Sequence, residues 1–86
     1  MSDLSAKFEA AVADSENLSR RPANETLLKL YAYYKQATAG DVDGDRPGFT
    51  DIKGRAKYDA WGKISGTSAD EAMEKYVVLI ERLKSN

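Results

Sequence analysis

Apolar residues recur every three or four positions along most of this chain, and this spacing is the strongest constraint on its fold. The first segment carries Leu4, Phe8, Ala11 and Val12 at helical steps. No segment shows the alternation of apolar and polar residues that marks a half-buried strand. The spacing predicts an all-α protein whose first helix covers about residues 3–17.

Two further helices are bounded by residues that favour helix ends. The second is predicted to begin with Asn24 as its N-cap and to stop at Gly40, because Asn is a favoured N-cap and Gly a common residue after the last helical turn. The third is predicted to begin after Thr50 or Asp51, either of which can cap it. The stretch between these two helices is a loop by composition.

The fourth helix is predicted from a capping box, in which Ser68 is the N-cap and the Glu71 side chain reaches back to it. With 86 residues the chain is long enough for one modest core, so a single domain over residues 1–86 is expected. Four helices with one long connection make a small bundle.

The composition excludes several classes of site. The chain has no cysteine and no histidine, which rules out disulfides, thiolate metal sites, histidine-based triads and the commonest zinc ligands. We expect neither a metal nor a cofactor.

Residues 1–20 contain acids and no apolar run, and no stretch is apolar enough to span a bilayer. The expectation is a cytoplasmic monomer without stable membrane insertion.

An acidic loop raises the question of calcium. Asp41, Asp43 and Asp45 lie between two helices and match the start of an EF-hand loop. The match then fails, because its sixth position is Arg46 rather than Gly and its twelfth is Ile52 rather than Glu. We interpret the segment as a turn-rich, solvated loop.

A cluster of tyrosines and lysines is more informative. Tyr31, Tyr34 and Lys35 are three and four residues apart on the second helix, and Lys53 and Lys57 share a face of the third. Aromatic rings beside cations suit a ligand that has a base to stack on and phosphates to bind. An alternative is that the tyrosines pack in the core and the lysines face solvent. A nucleic-acid partner is not expected, since the net charge is -1.

Several motifs together resemble the acyl-CoA-binding protein family. They are LKLYAYYKQAT at 28–38, RPG at 46–48, GRAK at 54–57 and DAW at 59–61. The resemblance covers essentially the whole chain. It implies an up-down-down-up four-helix bundle that binds medium- to long-chain acyl-CoA esters one to one, as an intracellular carrier and pool former rather than an enzyme.

The resemblance also implies roles for individual residues. The positions that match the CoA head-group site are Tyr31, Tyr34, Lys35, Lys53, Lys57 and Tyr76. The positions that match the acyl-chain site are Phe8, Val12, Leu27 and Leu28. In two departures from the family pattern, Glu16 stands where a basic residue is common and Tyr58 where Trp is usual.

Two other functions compete with a carrier. One is a protein-interaction module whose apolar groove takes an amphipathic helix. The other, a thioesterase, has less support because no nucleophile is paired with a base in the sequence. The cluster formed by Tyr31, Lys35 and Lys57 distinguishes a carrier from an interaction module, because a peptide groove has no need of it.

Overall fold

The computed structural model describes residues 3–85 as four helices joined by three connections. The helices are α1 (Asp3–Ser15), α2 (Asn24–Ala39), α3 (Ile52–Gly62) and α4 (Ala69–Ser85). No strand occurs among these residues, and the all-α prediction is confirmed. α1 ends two residues earlier than predicted, and turn-type hydrogen bonds from the backbone N–H groups of residues 16 and 17 close its last turn.

Two of the predicted caps are present. The Asp51 carboxylate accepts a hydrogen bond from the Gly54 N–H at 3.0 Å and begins α3. The Ser68 hydroxyl accepts one from the Glu71 N–H at 3.1 Å and begins α4. The Glu71 carboxylate is 3.6 Å from the Lys75 ammonium, one turn further along the helix, rather than back at the cap.

The predicted cap of α2 is wrong by one residue. Ala23 holds the N-cap position without a side-chain hydrogen bond, and Asn24 is the first helical residue. The Asn24 side-chain oxygen instead accepts a hydrogen bond from Nη1 of Arg21 at 3.2 Å. The polar side chain therefore ties the helix to the connection before it, which intrinsic cap preference does not reveal.

Contacts between side chains give the direction of α2 relative to α3. The Lys57 ammonium lies 5.5 Å from the centre of the Tyr31 ring, and the Lys35 ammonium lies 5.0 Å from the centre of the Trp61 ring. Both pairs advance by four residues in the same order, so α2 and α3 run parallel. A parallel pair needs a long return connection, which residues 40–51 supply.

The fourth helix runs parallel to α1 and antiparallel to α2. Phe8 packs edge-on against Tyr76 with ring centres 5.2 Å apart, and further along both helices Asp14 pairs with Lys84 at 2.9 Å. On α2 the order reverses, because Gln36 contacts the connection before α4 whereas Tyr34, two residues earlier, lies near Tyr76. The bundle is therefore up-down-down-up.

The core is formed by α1, α2 and α4. Its buried members are Phe8, Ala11, Leu30, Tyr76 and Ile80. Trp61 is also buried, and its ring nitrogen donates a hydrogen bond to the Gly40 carbonyl at 2.8 Å. This bond ties α3 to the end of α2, close to Lys35, whose ammonium lies over the indole ring.

The acidic loop is more ordered than a merely solvated segment. The Asp41 carboxylate accepts hydrogen bonds from the Gln36 amide and the Gly66 N–H, both at 2.7 Å. The Gln36 amide also donates to the Thr67 carbonyl at 2.9 Å. Asp41 thus joins the end of α2 to the connection between α3 and α4. Within residues 3–85 the acidic side chains form no group suited to holding a metal ion.

A second contact anchors the same loop to α3. Arg46 donates two hydrogen bonds to the Asp59 carboxylate, at 2.9 and 2.7 Å. This bidentate pair raises the pKa of Arg46 and lowers that of Asp59, chiefly through the hydrogen bonds themselves. Tyr58 donates its hydroxyl to the Gly44 carbonyl at 2.9 Å.

Asp41 predicts a pH dependence of stability. The Gly66 N–H, and then the Gln36 amide, hold the pKa of Asp41 below its ordinary value of 3.8. Its contribution is therefore present above the pKa of the unfolded chain and is lost as the pH falls through the lower folded pKa. We expect the Tm difference between wild type and Asp41→Asn to be largest near pH 7 and to shrink below about pH 4. Thermal unfolding across this range, with Asp45→Asn as control, checks it. An equal difference at all pH values would contradict it.

Candidate ligand-binding site

A cavity of about 420 Å³ opens between α2, α3 and the connection before α2. Its floor is apolar and its rim is basic. We call it the cationic cavity. Its lining residues are Arg21, Asn24, Leu27, Leu28, Tyr31, Ile52, Lys53, Ala56 and Lys57. Three of them are cations and none is a carboxylate, although the chain as a whole has a net charge of -1.

The other described cavities with basic linings differ in this respect. On the other side of the α2–α3 pair, a cavity lined by Lys29 and Lys63 also contains Glu25. The groove between α2 and α4 mixes three basic residues with Glu71 and Glu74. Uncompensated cations around an apolar floor suit a ligand with an anionic part and an apolar part, and the cationic cavity is where these features coincide.

Tyr31 joins the cationic cavity to a neighbouring one. The second cavity, of about 240 Å³, lies on the side of α2 that faces α4 and the end of α1, and we call it the tyrosine cavity. Its lining residues are Ser15, Leu18, Pro22, Leu27, Leu30, Tyr31, Tyr34 and Tyr76. Leu27 and Tyr31 belong to both walls. The two cavities therefore adjoin.

A third cavity continues the series along α1. It measures about 380 Å³, and we call it the α1 cavity. Phe8 and Val12 line it together with Tyr34, which also lines the tyrosine cavity. The Tyr34 ring stacks on Phe8 with ring centres 6.0 Å apart and lies 6.5 Å from the ring of Tyr76.

The structure therefore groups the residues singled out in the sequence into neighbouring sets. The cationic cavity holds Tyr31, Lys53, Lys57, Leu27 and Leu28. Tyr34 and Tyr76 line the tyrosine cavity, and Phe8 and Val12 line the α1 cavity. Lys35 is the exception: it lines none of these three cavities, and its ammonium lies over the Trp61 ring, one turn further along the α2–α3 pair.

Burial separates the predicted residues further. Phe8 and Tyr76 are core residues at 6% and 4% exposure, whereas Tyr34 is 41% exposed. Val12 and Leu27 pack against the core cluster. The alternative interpretation, in which the tyrosines of the predicted cluster pack in the core, does not hold for Tyr34, which is exposed, and Tyr31 is half-buried.

The structure adds lining residues that the sequence did not single out. Arg21, Asn24, Ile52 and Ala56 line the cationic cavity. Ile52 and Ala56 are four residues apart, and that spacing alone was compatible with a core face. Arg21 lies in the connection between helices, where no periodicity predicts what a side chain faces.

Comparison with known proteins identifies the family. Residues 5–80 match the family model described as acyl CoA binding protein. The chain belongs to the acyl-CoA-binding protein family. It is 41% identical over 80 residues to the acyl-CoA-binding protein homolog of Drosophila melanogaster and 44% identical over 80 residues to homolog 1 of Caenorhabditis elegans. Each alignment covers 93% of this chain and 93% of the relative.

A solved structure shows the same fold. The crystal structure of Oryza sativa acyl-CoA-binding protein 2 is similar, with a TM-score of 0.93 and 38% identity over 96% of this chain and 90% of that one. The predicted family and fold class are both confirmed. Among residues 3–85, none of the helices combines the length and apolar character that crossing a bilayer requires.

Proposed function

We propose that this protein binds one medium- to long-chain acyl-CoA ester per chain and acts as a monomeric cytoplasmic carrier rather than an enzyme. The single observation that carries the proposal is the cationic cavity, which combines three cations with an apolar floor. An acyl-CoA has the matching chemistry, since it joins a polyanionic nucleotide to a hydrocarbon tail. The relatives named above bear acyl-CoA binding in their names.

The head group is assigned to the end of the cavity where Lys57 lies over Tyr31. Lys57 has three rotatable donors and binds phosphate as a point charge, and the Tyr31 hydroxyl can donate alongside it. The Lys57 ammonium forms no ion pair within residues 3–85. We assign the 3′-phosphate to this pair, with Lys35 approaching from the next turn, and the adenine to the neighbourhood of Tyr34 and Tyr76.

The tail is assigned to the apolar floor. Leu27 and Leu28 project from α2 and Ala56 from α3. Each methylene that leaves water for such a surface contributes about 0.8 kcal/mol when fully buried. Phe8 and Val12 line the α1 cavity, which adjoins the tyrosine cavity at Tyr34, and we assign the far part of the tail to them.

A groove for an amphipathic helix is the competing function. Such a groove needs an apolar stripe to receive residues at helical spacing. The cationic cavity instead puts Arg21, Lys53 and Lys57 around its apolar floor. Those cations have no role in a purely apolar helix groove and a direct role in binding phosphates.

Calorimetry with three ligands tests the function. We expect palmitoyl-CoA to bind tightly with one site per chain, and both free palmitate and free CoA to bind far more weakly. Head and tail each supply only part of the favourable free energy, which explains the two weaker ligands. Equal affinity for palmitate and palmitoyl-CoA, or no heat with palmitoyl-CoA at micromolar protein, would exclude the carrier.

The chain's one tryptophan provides a second readout. Trp61 is buried and the Lys35 ammonium lies 5.0 Å from its ring centre. If a phosphate draws Lys35 off the ring, the charge beside the indole changes. We expect saturating palmitoyl-CoA to change the tryptophan emission of the wild type. The Lys35→Ala variant should still bind palmitoyl-CoA, with lower affinity, but should lose most of that change in emission at saturation. An unchanged wild-type spectrum at saturation would contradict this role of Lys35.

A further inference from the structure

Arg21 lies at the rim of the cationic cavity. It lies in the connection between α1 and α2, and its Nη1 donates to the Asn24 side chain at 3.2 Å. Both residues line the cavity. The hydrogen bond links the guanidinium to the first residue of α2 and directs it toward the cavity wall that Asn24 forms.

Arg21 shares that end of the cavity with Lys53. Lys53 is the second residue of α3, and α2 and α3 run parallel, so both cations lie near the N-terminal ends of the two helices. No described carboxylate forms an ion pair with either side chain. Two uncompensated cations beside one cavity repel each other, and an anion between them relieves that repulsion.

This pair is separate from the one assigned to the 3′-phosphate. Asn24, the partner of Arg21, precedes Tyr31 by seven residues on α2, which corresponds to about 10 Å along the helix axis. The two pairs are therefore offset along the cavity. A CoA ester carries a second anionic group, the 5′-diphosphate, at the other side of its ribose.

We propose that Arg21, together with Lys53, binds the 5′-diphosphate of the ligand while Lys57 and Tyr31 bind its 3′-phosphate. The inference rests on the proposed acyl-CoA binding and adds a specificity-determining residue to that site. The planar guanidinium suits a diphosphate because it can present two parallel N–H groups to two oxygens.

The neighbouring arginine provides a matched control. Arg20→Ala removes the same charge one residue away from a side chain that does not line the cavity. We expect Arg21→Ala to raise the calorimetric Kd for palmitoyl-CoA roughly 10- to 100-fold, Arg20→Ala to change it less than about threefold, and Arg21→Lys to fall between. Equal effects of Arg20→Ala and Arg21→Ala, with the wild type still binding tightly, would overturn the role of Arg21 alone.

A ligand that lacks one phosphate identifies the contact. Dephospho-palmitoyl-CoA has no 3′-phosphate but keeps the diphosphate, so Arg21→Ala should weaken its binding by the same factor as it weakens palmitoyl-CoA binding. If the effect of Arg21→Ala disappeared with the dephospho ligand, Arg21 would contact the 3′-phosphate and the proposal would be wrong. Failure of the wild type to bind palmitoyl-CoA would instead remove the proposed function itself.

Discussion

Replacing Lys57 with Ala is expected to weaken palmitoyl-CoA binding by roughly 10- to 150-fold. Lys57 lies over Tyr31 at the edge of the cationic cavity, and no described carboxylate pairs with it. A hydrogen bond to a charged group contributes about 1.5–3 kcal/mol, which converts to that range of affinity. Isothermal titration of both proteins with palmitoyl-CoA measures the change.

Two controls show whether the loss arises at the 3′-phosphate. Lys29→Ala removes a charge from α2 at a position that lines other cavities, so it should leave the affinity nearly unchanged. Lys57→Ala should hardly change the affinity for dephospho-palmitoyl-CoA, because the 3′-phosphate that Lys57 would contact is already missing from this ligand. An equal loss with both ligands would show that Lys57 does not contact this phosphate.

Replacing Leu28 with Asp is expected to weaken the binding of palmitoyl-CoA much more than the binding of CoA, which lacks the tail. Leu28 lines the floor of the cationic cavity and is half-buried. A carboxylate there would lie against the hydrocarbon tail, and displacing about four methylenes costs on the order of 3 kcal/mol. We expect palmitoyl-CoA affinity to fall by about a hundredfold or more and CoA affinity to change much less, as measured by calorimetry.

The added charge and the fold both need controls. Leu28→Asn carries no charge, so it separates loss of apolar contact from repulsion of the ligand phosphates. Thermal unfolding of each variant shows whether the bundle is intact, since Leu28 also contributes to the wall of a second cavity. If the folded variants lost affinity for CoA and palmitoyl-CoA by the same factor, the tail would have to lie elsewhere.

Much of the fold could be predicted because helix periodicity and caps are local signals. The α3 cap at Asp51 and the α4 cap at Ser68 are confirmed, since each depends on residues within one turn. The Asn24 cap is wrong although the competing contact is also local, because its side chain accepts a hydrogen bond from Arg21, three residues earlier. The role of Asp41 could not be predicted for a different reason, because its partner Gly66 is distant in sequence.

The candidate site could be predicted in part. Helical spacing puts Tyr31 next to Lys35, and the structure confirms that both face α3. They contact different residues there, because Tyr31 lies under Lys57 and Lys35 lies over Trp61. Spacing cannot show that Tyr34 faces a separate cavity from Lys57, because this depends on how three helices pack. Arg21 could not be found at all, since a connection has no periodicity that fixes where its side chains point.

The most direct measurement of the central claim is a crystal structure of the protein with palmitoyl-CoA. The cationic cavity predicts one ligand per chain, with its 3′-phosphate within hydrogen-bond distance of the Lys57 ammonium and the Tyr31 hydroxyl. The tail should lie against Leu27 and Leu28. Electron density for the ligand in another cavity, such as the groove between α2 and α4, with the cationic cavity empty, would contradict the account.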